Sequence, residues 1–104
     1  MFFLGQTGAL IELLPLMVRR GSAASVTVSP AQPGVGASAT VTVDGVNPCG
    51  AVGLIYDGGG EQVHPITVLP YAETHIFSTA GTHVVTAIGH GNCDGQVSVT
   101  VNAR

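Results

Sequence analysis

The 104-residue chain is predicted to fold as an all-β sandwich. Three observations predict this. Runs of alternating, β-branched residues recur along most of the chain at spacings of roughly 8 to 12 residues, the rhythm of short strands in two packed sheets. Fifteen glycines and six prolines punctuate those runs with turns. Hydrophobic residues make up 45% of the chain and charged residues 9%, a balance that supports one buried core and argues against disorder.

The first segment does not share the strand rhythm. Residues 1–23 carry an apolar stretch built on Phe2, Phe3 and Leu4, then Leu10, Leu13, Leu14 and Met17, and end in Arg19 and Arg20. A signal peptide places its basic residues ahead of the apolar run, whereas here the arginines follow it. The run is also interrupted by Gly5-Gln6-Thr7-Gly8, Glu12 and Pro15, so the roughly 20 apolar residues of a membrane span are not available. The expectation is an N-terminal apolar arm, helical by the spacing of Ala9, Leu10, Leu13, Leu14 and Met17, with Pro15 limiting or kinking the helix. The same residues also suit an added strand. An arm this apolar requires a cover, either its own domain or a neighbouring subunit.

Residues 24–104 are predicted to form the sandwich. Ser25–Ser29 alternates through Val26 and Val28 and stops at Pro30-Ala31-Gln32-Pro33-Gly34. Ala37–Val43 alternates through Ala39, Val41 and Val43, and Asp44-Gly45 turns it. Ala51–Tyr56 is almost continuously apolar, as a central strand would be, and Asp57-Gly58-Gly59-Gly60 breaks it. Gln62–Leu69 and Ala72–Phe77 are the next two strands, Pro65 marking the first as an edge or bulged strand. Thr82–Ile88 and Gln96–Val101 form a final hairpin around Gly91-Asn92-Cys93-Asp94-Gly95. The total is about seven antiparallel strands.

The chain has three arginines, no lysine and six acidic residues. Nucleic-acid binding needs a cationic footprint, and this chain has none to offer. So few charges give a small domain weak colloidal protection, which favours a surface packed against partners. The two cysteines, Cys49 and Cys93, are an even count that reads as a disulfide and hence an oxidising location; the alternative is two free thiols in a cytosolic protein.

Candidate chemistry is sparse. His64, His75, His83 and His90 stand at no recognised metal-ligand spacing. Asp44, Asp57, Glu61 and Asp94 lie in turns that suit calcium ligands, yet no complete ligand loop is present, and acidic residues stabilising their own turns explain them. There is no nucleophile elbow, and Gly58-Gly59-Gly60 is followed by neither the Lys-Ser/Thr pair nor the helix of a phosphate loop. No metal, cofactor or catalytic residue is expected. His83 reads as a corner residue that hydrogen-bonds the preceding turn, as a tyrosine does in many sandwiches.

Two segments carry a resemblance. Ile55-Tyr56-Asp57-Gly58-Gly59-Gly60 and Phe77-Ser78-Thr79-Ala80-Gly81-Thr82-His83-Val84-Val85 resemble the aromatic-then-glycine turn and the later aromatic-to-valine segment of PKD-type immunoglobulin-like repeats. The likeness extends over residues 25–102. The chain departs from the pattern in having no Trp, in an Asp one step early in its glycine cluster, and in His83 standing where an aromatic residue is usual. The resemblance implies a seven-strand immunoglobulin-like sandwich, a spacer or contact module of cell surfaces, surface enzymes or phage particles, without catalysis of its own. In that topology Cys49 and Cys93 lie in neighbouring loops at one end, and a bond between them would staple two loop tips.

Together these readings lead to the expectation of a non-enzymatic structural or interaction protein, its sandwich displayed outward and its arm held by copies of itself or by a shell or surface protein. Within that class a phage virion decoration or minor-capsid component is favoured, located at a virion surface or outside the cell. The alternative is a secreted or surface-tethered adhesion module, carbohydrate binding included.

Overall fold

The computed structural model describes residues 20–104; the apolar arm residues Phe2, Phe3, Leu4, Leu10, Leu13, Leu14, Met17 and Arg19 lie outside the described residues. Eight strands follow in order: β1 (Gly21–Ser29), β2 (Ser38–Val46), β3 (Ala51–Tyr56), β4 (Gln62–Pro65), β5 (Tyr71–Ile76), β6 (Gly81–His90), β7 (Cys93–Asp94) and β8 (Gln96–Ala103). They form two four-stranded sheets, ordered β5-β2-β1-β7 and β4-β3-β6-β8.

The period-2 pattern explains the layers. Val41 and Val43 of β2, Val52 and Leu54 of β3, Val85 and Ala87 of β6 and Val101 of β8 are almost fully buried between the sheets, while Thr40 and Asp44, flanking the two valines on β2, face outward. Fifteen buried apolar residues, Cys49 and Cys93 among them, make one core cluster. In the β3–β4 connection Asp57 and Gly58 both have positive φ (54° and 70°), and Gly59 N donates to Tyr56 O at 3.0 Å. A tight turn with two left-handed central residues favours Asp-Gly, and this sequence supplies it.

These features differ from the sequence reading. β1 begins at Gly21, so residues 21–23, read as the foot of the arm, already belong to the sheet and Ala23 is in the core. The expected strand Gln62–Leu69 ends at Pro65, where the ring removes a ladder donor, and the chain then loops to β5. It is an edge strand, as Pro65 implied. The final turn also contains an eighth strand, because Cys93 and Asp94 leave the second sheet and pair with Gly21 and Ser22 of the first, in parallel. That excursion places one parallel pair in an otherwise antiparallel sandwich.

Candidate functional site

The chemistry-bearing side chains gather in two places. The first is the open side of the sandwich, where edge strand β5 of one sheet faces β3 and edge strand β4 of the other. On β5, Tyr71, Glu73 and His75 alternate inward and are half-buried while Ala72, Thr74 and Ile76 point out. An edge position allows such polar side chains to reach the rim of the core without full desolvation.

Glu73 is the hub of this seam. Its carboxylate accepts hydrogen bonds from Tyr56 Oη at 2.6 Å and Tyr71 Oη at 2.7 Å. His64 Nε2 lies 3.1 Å from Glu73 Oε1, but the angles are poor and this buried nitrogen has no aligned hydrogen bond. Burial, reinforced by the carboxylate that each hydroxyl bonds, raises both phenol pKa values, that of Tyr71 to about 12. Around the hub the rings pack in series: His64 stacks on Tyr71 at 5.3 Å, His75 stacks on Tyr56 at 3.7 Å, and Phe77 meets Tyr56, His75 and His83 at 6.5, 4.7 and 4.9 Å. Burial holds the His75 pKa below its ordinary value.

The series ends at His83, which is nearly buried. Its Nδ1 lies 2.6 Å from Asp57 Oδ2 and its Nε2 lies 2.8 Å from the carbonyl of Thr79, in the turn that precedes β6. Both partners only accept, so a doubly protonated imidazolium satisfies both. The bond to Asp57, then that to Thr79, raises the His83 pKa; reciprocally, the bonds from His83 and from Val84 N lower that of Asp57. Asp57 was expected to stabilise its own turn. Instead its Oδ1 accepts from Val84 N at 2.8 Å, its own N–H donates to Val84 O, and it fastens the β3–β4 turn to β6. The other acids behave differently: Asp44, expected in a turn, lies within β2 and accepts from the following Gly45 N at 2.7 Å, and Glu61 pairs with His90 at 2.6 Å with its carboxylate lying over the bare face of Gly53.

The second place is the end of the sandwich where the described chain begins. A disulfide joins Cys49, in the β2–β3 loop, to Cys93 of β7. Both residues are 2 to 3% exposed, so the bond belongs to the end of the core and not to two loop tips; the excursion of β7 into the first sheet carries Cys93 inward. Beside it, Arg20 makes a bidentate pair with Asp94, Nε to Oδ2 at 2.8 Å and Nη2 to Oδ1 at 2.7 Å. Asn47 brackets the backbone of Leu69, accepting from its N–H at 2.8 Å and donating to its carbonyl at 3.3 Å, and Ile66 N donates to Gly50 O. Two loops are thereby locked together at the disulfide end.

Of the residues singled out in the sequence, the structure brings together Cys49 and Cys93, sets Arg20 beside them, and places His83 with Asp57 and Thr79. Tyr56, Tyr71 and Glu73 were missed. For Tyr71 and Glu73 the signal was a Tyr-x-Glu-x-His alternation on a strand whose intervening residues are Ala72 and Thr74, with Ile76 following, the reverse of a polar-out pattern. Among the described residues no group of three His, Cys, Asp or Glu is arranged to hold a metal ion, and no helix is long and apolar enough to cross a membrane. Compared with protein-family models, curated proteins and solved structures, the chain matches none of them.

Proposed function

We propose that the protein is a non-enzymatic, immunoglobulin-like module of the PKD kind, fixed in a larger assembly by its N-terminal apolar arm, in the manner of a phage virion decoration or minor-capsid protein. One observation carries the reading. The arm joins the sandwich at a cross-linked end, where Arg20 is clamped to Asp94 beside the disulfide and Gly21 pairs at once with Cys93. A load on the arm is therefore received by a cross-linked end. The engagement of Asp57, Glu73 and His83 with neighbouring side chains and backbone supports a fastening role for these residues. The partner is another copy or a shell protein.

Light scattering on the full chain and on a chain beginning at Arg20 tests this. The full chain is expected to exceed the monomer mass and the shortened chain to be a folded monomer; two monomers of equal stability would sink the proposal.

The disulfide favours a second reading, a secreted or surface-tethered adhesion module. Mass spectrometry of the N-terminus of protein from its native source separates the two, because export would remove or lipidate the arm and assembly would leave it whole.

A further inference from the structure

The disulfide end also carries a shallow hollow of about 450 Å³, lined by Pro65, Ile66, Thr67, Val68 and Tyr71. No lining side chain is charged. Val68 is 56% exposed on its wall, and Val46, next to the Asn47 that brackets Leu69, is 57% exposed. An exposed valine on the wall of an uncharged hollow marks a place for an apolar side chain.

We propose that this hollow receives the apolar segment 9–18 of a second copy, the two copies meeting end to end about a two-fold axis and exchanging arms. The inference rests on the assembly reading above and names its partner. Three observations carry it. Segment 9–18 is Ala-Leu-Ile-Glu-Leu-Leu-Pro-Leu-Met-Val, whose one charge is Glu12, so its composition matches an uncharged apolar hollow. The start of β1, from which the arm departs, and the hollow lie at the same end, which permits a reciprocal, closed contact in place of an open chain. Third, Arg20 is clamped to Asp94 on β7, whereas Tyr71 and Pro65 belong to β5 and β4, and β7 and β5 are opposite edges of their sheet. A two-fold axis normal to the sheets sets the β7 edge of one copy over the β5 edge of the other. The arm then leaves directly toward the partner's hollow.

The reach is sufficient. The hollow of the same copy lies three strand spacings from β7, about 14 Å across the sheet, whereas the two-fold sets the partner's hollow opposite β7, and residues 9–18 extend to at most about 35 Å. The same arithmetic permits an arm folded back on its own hollow, which the test must separate.

The experiment uses the full chain with two variants, Leu13→Asp in the arm and Val68→Asp in the hollow, analysed by sedimentation across a range of concentrations. The wild type is expected at twice the monomer mass, and each variant alone as a monomer, with dimerisation weakened tenfold or more. An equimolar mixture is expected to recover dimers, because each mixed pair keeps one intact arm facing one intact hollow. Val68 is exposed, so a wild-type melting temperature is expected for its variant; should that variant misfold, Thr67→Asp places the same charge in the hollow. If Leu13→Asp abolishes association while the hollow variants leave it intact, the arm assembles elsewhere: this inference falls and the assembly reading stands. A wild type that is monomeric overturns both, and monomers in the mixture of variants overturn the exchange.

Discussion

The phenol ring of Tyr56 lies flat against the imidazole of His75, with centroids 3.7 Å apart and planes 5° from parallel, while its hydroxyl donates to Glu73. One side chain of β3 thus holds β5 twice, once by its face and once by its tip. Because β3 and β5 belong to different sheets, the contact closes the open side of the sandwich.

Replacing Tyr56 by Phe keeps the stack and deletes the hydroxyl. A hydrogen bond to a charged group contributes about 1.5 to 3 kcal/mol, and this one is only partly desolvated, so a loss of about 1 to 2 kcal/mol is expected. Tyr56→Leu, which also removes the stacked ring, is expected to lose more. Urea unfolding of both variants measures the difference, and equal losses would mean that the stack contributes nothing.

Stability should depend on pH through His83 and Asp57. The His83 pKa is raised above its ordinary 6.5, so its stabilisation is complete below that value and is lost as pH rises through the folded-state value. The Asp57 pKa is lowered beneath 3.8, so its stabilisation is present above that value and is lost as pH falls through the folded-state value. The pair therefore stabilises the fold most between about pH 4 and 6.5. Melting temperatures of the wild type and Asp57→Asn across this range check the sign. The variant is expected to lose most within the window and to show a flatter profile above pH 6.5.

The disulfide closes a sequence separation of 44 residues. Loop entropy alone assigns such a cross-link about 4 kcal/mol, comparable to the net stability of a small domain. A Cys49→Ala, Cys93→Ala double variant is expected to lose about 2 to 5 kcal/mol. Denaturant titration of that variant and of the reduced wild type reads the loss; stability unchanged in both would remove the bond from the account.

Two glycines with ordinary exposure should respond oppositely. A Cβ on Gly45 would run into the carbonyl oxygen of Ser22, backbone held by the β1–β2 ladder where the register shifts between Ala23 and Ser25. A Cβ on Gly60 would meet nothing within 4 Å, and its φ is not in the left-handed region. Gly45→Ala is expected to cost about 1 to 3 kcal/mol, the usual range for forced overpacking. Gly60→Ala is expected to be neutral or to gain up to about 1 kcal/mol by restricting the unfolded chain. Thermal melts of the two variants decide it.

The strands were legible because their cause is local. Val26, Val41, Val43 and Val101 fall at period 2 and are buried, and Asp57-Gly58 turns the chain where a left-handed pair is needed. The seam was not legible, because Glu73 acquires its meaning from Tyr56, 17 residues away, and no local pattern encodes which edges face each other. β7 escaped for a related reason: two residues are too few for any periodicity, and their pairing with Gly21 depends on how the whole sandwich closes. The cysteines could be paired by counting, but the depth of their bond followed from β7 and was invisible with it. Arg20 was legible only as a charge after an apolar run, since Asp94 lies 74 residues on.

The two-residue visit of β7 to the opposite sheet bears on how the molecule comes apart. β6 and β8 flank it in the chain and belong to one layer, yet Cys93 and Asp94 are stitched to the other. The layers cannot separate at that end without breaking the β1–β7 ladder and straining against the cross-link to Cys49. In the oxidised protein, amide hydrogens deep in both sheets should then exchange with solvent through one shared opening. After reduction only the short β1–β7 ladder joins the layers at that end, and the two are expected to exchange at rates further apart.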